Sequence, residues 1–292
     1  MELRRAELAG AWYPNQKSEC QRIFEGFEAD AVDARAGAPL SPNRQGPLRA
    51  GIVPHAGWVF SGSIAYDVLR ELAELAAPPE TVALFAGHLH PRSPATLLER
   101  GACETPLGPL PVDEPLAAAL AARFPALHLE SPQRHSQDNS AEVVFPLIKH
   151  FFPDAHLLVL GAPPNTLSLR LADALLAAAA ELSRTMVFVG STDLTHYGPN
   201  YRFTPKGIGP EAEAWVRETN DRAFLQRALA AETTTLLDEA LASHNACCPG
   251  AAAAAIHCAR AAGANAGREL RYSTSADRRP ASSFVGYGGV VL

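Results

Sequence analysis

Four short stretches of this 292-residue chain bring together side chains that can do chemistry. They are His55 in VPHAGW, His88 and His90 in AGHLHP, Asp193 and His196 in GSTDLTHYG, and His244, Cys247 and Cys248 in SHNACCPG. Imidazoles and thiolates are ligands for soft and borderline metals. Two histidines, one thiolate and an open position make a three-ligand metal site of catalytic type. A further histidine held by Asp193 would act beside it as a general acid/base. Each piece also has an ordinary reading. His55 before Ala56 and Gly57 can cap a turn, and Asp193 with His196, spaced i, i+3, can be a local hydrogen bond. His88 and His90 point to opposite sides of an extended segment, so at most one is expected to face a shared site. Cys247 and Cys248 can be buried packing residues or an easily oxidised pair. His128, His150, His156 and His257 lack such a setting and read as surface or core residues, while His135 in RHSQDNS stays open.

The elements that must position these residues follow from the apolar pattern. Short apolar runs at Leu48–Pro54, Thr81–Gly87, His156–Gly161 and Thr185–Gly190 read as buried strands. Helical spacing predicts helices over Gly62–Ala76, Glu114–Phe124, Ala141–Phe152, Leu167–Leu182, Glu211–Leu229 and Thr233–Ala242. A last helix, Cys248–Ala262, has Pro249 in its first turn and stops at Gly263. Glu269–Ser275 and Ser283–Leu292 read as strands returning to the sheet, and the Pro/Gly-rich Gly101–Val112 as a hairpin-like excursion. This alternation predicts one α/β domain over residues 1–292, a sandwich with a central mixed sheet and helices on both faces. Three of the reactive stretches directly follow a strand. In an open α/β sheet the ligand crevice lies beyond the carboxyl ends of the strands, where parallel strands would make them meet. Cys248 opens a helix, where the positive end of the dipole favours thiolate.

Composition narrows the functional classes. Hydrophobic residues are 47%, charged residues 19%, and the formal net charge is −6. No broad nucleic-acid surface is expected from that balance. No stretch is long and apolar enough for a membrane span. The opening MELRRAELAG lacks the apolar segment of a signal peptide. Five cysteines, Cys20, Cys103, Cys247, Cys248 and Cys258, are too few for a disulfide scaffold and fit a reducing cytoplasm.

With these residues in view, the sequence resembles the Memo family, known in bacteria and archaea as protein B of the AmmeMemoRadiSam system. The likeness runs through AGAWYP (Ala9–Pro14), VPHAGWVFSG (Val53–Gly62), ETPLG (Glu104–Gly108), SAEVVFPLI (Ser140–Ile148), GSTDLTHYG (Gly190–Gly198) and SSFVGYGGVV (Ser282–Val291). The family is similar to class III extradiol ring-opening dioxygenases, which use a non-haem iron in a mixed α/β fold. The resemblance implies metal ligands His55, His90 and Cys248, with His196 at the place of the dioxygenase base and Asp193 lining the same pocket. It departs from the family in three places. AGHLH stands where Gly-Pro-Ser-His-His is usual, Asn139 where a pocket histidine is usual, and Pro249 where Gly follows the cysteine.

Three functions compete on this reading. The first is a metal-dependent oxidoreductase with Fe(II) or copper, or zinc, in which His196 moves protons with help from Asp193. Thiolate in place of carboxylate softens the site towards copper or zinc. The second is a non-enzymatic protein that binds a peptide or phosphorylated ligand in the same crevice. The third is a cysteine–histidine hydrolase with Cys248 as nucleophile and His196 as base. The partner is accordingly a small molecule or a peptide, and the oligomeric state stays open. Of the adjacent cysteines only Cys248 is expected to reach the histidines, and His88 is expected to point away.

Overall fold

The computed structural model describes residues 1–35, 49–75 and 78–292. Leu48 and Ala76, the outer residues of one expected strand and one expected helix, lie outside them. The four apolar runs form the middle of a mixed sheet: Ala50–Val53, Met186–Ser191, Thr81–Ala86 and His156–Gly161, in that spatial order and all parallel. Their burial explains their composition. A strand covered on both faces must be apolar throughout, and every residue of the first three is buried. Registers pair Val53 with Ser191, Phe85 with Gly190 and Ala86 with Gly161. The carboxyl ends of these strands are therefore level.

The sheet extends to both sides. Phe284–Val291 runs antiparallel to Ala50–Val53, and Arg268–Thr274 and the short His196–Tyr197 strand both pair with it antiparallel. On the other side stand Thr96–Leu98 and His128–Glu130, two short strands that the apolar pattern does not mark. The Gly101–Val112 excursion is a hairpin of Ala102–Cys103 with Leu110–Pro111, joined in parallel by Leu3–Arg4. Most helices follow the expected spacing. Ala141–Phe152 splits into Asn139–Glu142 and Phe145–Phe151, because Pro146 lacks the N–H that a continuous helix needs. Lys17–Arg35 is a helix that the sequence reading leaves unassigned. It is mostly polar, and buries Cys20 and Phe24, with Phe24 against Trp58 and Tyr66 of the Trp58–Leu75 helix.

The last helix spans Pro249–Ala261, with Cys248 as its N-cap and Gly263 beyond its end at φ +99°. Its first eight residues are all buried and mostly Ala and Gly. Small side chains let its backbone lie directly on the sheet. A Cβ on Gly190 would stand 2.7 Å from the Ala251 carbonyl oxygen and 2.9 Å from Ala252 Cα. One on Gly250 would stand 2.3 Å from the Pro163 carbonyl oxygen. This contact carries the cysteine pair to the level carboxyl ends of the strands. Gly190→Ala is therefore expected to lower stability by about 1–3 kcal/mol, the usual cost of overpacking. Chemical denaturation reads it, and an unchanged midpoint would mean that the helix can back away at no cost.

Candidate metal centre

His55 leaves the sheet two residues after Val53 and is fully buried. Its backbone N–H donates to Asp193 Oδ1 at 2.7 Å, and its carbonyl accepts from Asn139 Nδ2 at 3.2 Å. Its Nδ1 lies 2.9 Å from Ser191 Oγ, which leaves Nε2 facing Cys247 Sγ at 3.2 Å. Burial opposes a proton on this ring. Asp193 and Cys247 favour one and together hold the pKa above its ordinary value.

The histidine ring that stands beside His55 is that of His88, not His90. Gly87, the residue just after the Thr81–Ala86 strand, has φ +100°, a left-handed turn, and the next side chain stands towards His55. The two rings stand 5.0 Å apart, nearly perpendicular. Asp138 holds His88 from behind, accepting its backbone N–H at 2.8 Å and lying 3.0 Å from its Nδ1. The same carboxylate caps the Asn139–Glu142 helix through Ser140 N–H. His88 is itself exposed on the crevice side; what desolvation it has works against protonation, but Asp138 and Cys247 raise its pKa to about 10. His90 is exposed, and its Nδ1 accepts the backbone N–H of Arg92. The alternation argument for an extended segment fails here because the segment turns at Gly87. The expected closeness of His55 and His90 is thereby corrected.

Both cysteines reach the histidines, which corrects the expectation that Cys247 points away. Cys248, the N-cap, has φ −129° and ψ 58°, which is neither strand nor helix, so adjacent side chains do not diverge. The loop is pinned on both sides of the pair. Cys247 N–H donates to the Asp193 carbonyl at 3.1 Å, and Cys248 N–H to Thr192 Oγ1 at 3.0 Å. In return Asp193 N–H points at Cys247 Sγ at 3.2 Å. The two sulfurs are 3.7 Å apart. Burial would raise both thiol pKa values. For Cys247 the Cys248 contact and the nearby His55 and His196 rings prevail and hold it well below the ordinary thiol range. Cys248 is pushed well above it by burial and then by Cys247. One donor atom each from His55, His88, Cys247 and Cys248 lies within 4.8 Å of all the others.

Asp193 and His196 border this group. Asp193 Oδ2 lies 3.9 Å from Nε2 of both His55 and His196, ion-pair distances too long for hydrogen bonds. The buried Nε2 of His196 has no hydrogen-bond partner among the described residues, and its ring packs 4.9 Å from Tyr201. Burial opposes its protonation, but Asp193 and Cys247 raise its pKa to about 10. His55, His88, Asp193 and His196 all open on a crevice of about 1120 Å³. Trp12, Trp58, Phe60, Tyr201 and Tyr287 line it, with Asn139 and Arg279. His135 and His244 are not part of the lining, and His244 packs its ring near Phe203.

Comparison with known sequences bears on this arrangement. The family described as Memo-like protein matches residues 4–291. A MEMO1 family protein of Pyrococcus furiosus is 30% identical over 299 aligned positions, covering 99% of both chains. The chain belongs to the Memo-like family. A MEMO1 family protein of Thermococcus onnurineus is also 30% identical, over 98% of this chain and 97% of its own. A solved structure of an uncharacterized Escherichia coli K12 protein aligns with TM-score 0.49 and 14% identity, over 84% of this chain and 99% of that one.

In this Memo-like chain several supporting residues escape the sequence reading. Ser191 and Asp138 carry no signal of their own before the histidines are placed. Asn220 and Asp221 sit where a π-helical turn, Val216–Asn220, interrupts the expected Glu211–Leu229 helix. Such turns often mark functional places. Asn220 Nδ2 donates to Thr195 Oγ1 and to the Ser243 carbonyl, and its own carbonyl accepts from Asn245 Nδ2. Asp221 accepts from Thr195 N–H at 3.0 Å and from Tyr272 Oη at 2.8 Å. This pair thus ties the His196 loop to the cysteine loop. Burial raises the Asp221 pKa from 3.8 to about 6, against the hydrogen bonds that lower it. A raised folded-state pKa stabilises the fold below the unfolded value, and that stability is lost as pH rises through the folded value. Unfolding free energy should therefore fall between pH 3.8 and about 6 by about 3 kcal/mol from this group. Asp221→Asn should flatten that interval in denaturation curves, and an equally steep decline in the variant would exclude Asp221 as its source.

Proposed function

We propose that this chain is a metal-dependent oxidoreductase acting on a small organic molecule held in the crevice. The observation that supports it is the convergence of two imidazoles and two sulfurs, with both rings held through Nδ1. A histidine engaged at Nδ1 presents Nε2 as ligand, and its outer partner sets tautomer and orientation. The donor set fits a soft or borderline ion, copper or zinc ahead of iron. A copper ion there would supply electron transfer. The chain's own residues do the rest. Aromatic side chains along the crevice bind an apolar or aromatic body and exclude water. His196, with Asp193 beside it and Tyr201 against its ring, carries a proton to or from the bound molecule. The hydrolase reading is weaker, because a Cys248 thiol pushed upward by burial is a poor nucleophile. Peptide binding is favoured by one observation, a crevice of about 1120 Å³, slightly more than a small ligand needs.

Metal analysis of anaerobically purified protein tests this reading. Wild type is expected to carry copper or zinc in stoichiometric amount. His88→Ala should reduce retention tenfold or more, the cost of a lost ligand, while His90→Ala leaves it unchanged. A wild-type protein that is metal-free and gains no thermal stability from added Cu(I), Zn(II) or Fe(II) would overturn the proposal. If that protein still bound peptides, the second reading would stand.

A further inference from the structure

We infer that Cys247 is a fourth ligand, so that the centre is a closed tetrahedral site of two imidazoles and two thiolates built for a d10 cation. This rests on the metal-binding reading above and goes beyond it, since a three-ligand site keeps a position open and this one does not. The geometry of the donors carries it. For metal–sulfur bonds of about 2.3 Å and metal–nitrogen bonds of about 2.0–2.1 Å, tetrahedral edges are about 3.8 Å between sulfurs and about 3.5 Å between sulfur and nitrogen. Of the six edges, the Cys247–Cys248 separation is 3.7 Å and the Cys247–His55 Nε2 separation 3.2 Å, nearly the lengths that a bound ion needs, and the other donor-atom pairs lie within 4.8 Å. Neither sulfur sits there by chance of packing. Asp193 N–H donates to Cys247 Sγ, while the peptide N–H groups of both cysteines are anchored to Asp193 and Thr192.

The donor set selects the ion class. Two thiolates and two imidazoles in a tetrahedron suit Zn(II) and Cu(I), which share a filled d shell and impose no other geometry, and suit Fe(II) with open positions poorly. A closed shell also decides where the crevice ligand must act. It lies outside the coordination sphere, against His196, unless one of the four ligands is displaced.

Anaerobic Co(II) titration of the metal-free protein reads coordination number and thiolate count without any assay of activity. Wild type should give the intense visible bands of tetrahedral Co(II) and near-ultraviolet charge transfer from two thiolates. Cys247→Ser should still bind Co(II), with charge transfer reduced by about half and Zn(II) affinity at least tenfold lower, and Cys248→Ser should behave likewise. Cys247→Ser with undiminished charge transfer, or wild-type bands of five- or six-coordination, would overturn the inference and leave the metal-binding reading standing. Failure of wild type to bind Co(II), Zn(II), Cu(I) or Fe(II) would remove both. Should Cys247→Ser fail to fold, X-ray absorption of the wild-type zinc form decides alone. Two sulfur neighbours at about 2.3 Å support the inference, and one excludes it.

Discussion

How near one helix backbone can come to the strands governs everything at the carboxyl edge of this sheet. Pro249–Ala261 lies on Gly190 and on the Ala162–Pro163 segment with no side chain between. Alanine makes this possible twice over, as a strong helix former and as the side chain that takes least room. The alanine tract is thus a positioning device. Its burial brings a helix N-terminus to the place where four level strands end, and the cysteines travel with it.

The strand-end loops are then fixed by polar groups rather than by apolar packing. Asp193 alone holds the His55 backbone N–H by its side chain and the Cys247 N–H by its carbonyl. Thr195 is held by Asn220 and Asp221 on the far side. Buried polar groups without partners are costly, so this wiring tolerates few alternative arrangements. The N-terminal segment enters the same system. Glu142 accepts Leu8 N–H and Tyr13 Oη, which sets Trp12 along the crevice.

The four central strands and their order of polar termini were legible, because doubly covered strands are continuous apolar runs and the reactive residues follow them directly. His55 needed only that rule. His88 against His90 turned on the φ of Gly87, a backbone property that glycine permits and composition does not announce. The cysteines turned on an N-cap conformation in the same way. Asp138, Ser191 and Asp221 were invisible for a different reason. Their roles exist only after folding brings them behind residues 50 or more positions away, or beside a strand end that has already been placed. The edge strands Thr96–Leu98 and His128–Glu130 are too short to show a period.

The strand Phe284–Val291 lies inside the sheet, between Ala50–Val53 and the His196–Tyr197 and Arg268–Thr274 strands. It also clamps the intervening loop, accepting Leu194 N–H at the Gly286 carbonyl and returning Gly286 N–H to Thr195. During synthesis, then, both thiols and every histidine of the centre emerge before the segment that locks them together. The nascent chain passes through an interval in which its donor atoms are accessible but not assembled. Long-range pairing of this kind delays native structure. A cell that makes this protein must carry those thiols, reduced and unshared, until residues 284–291 arrive.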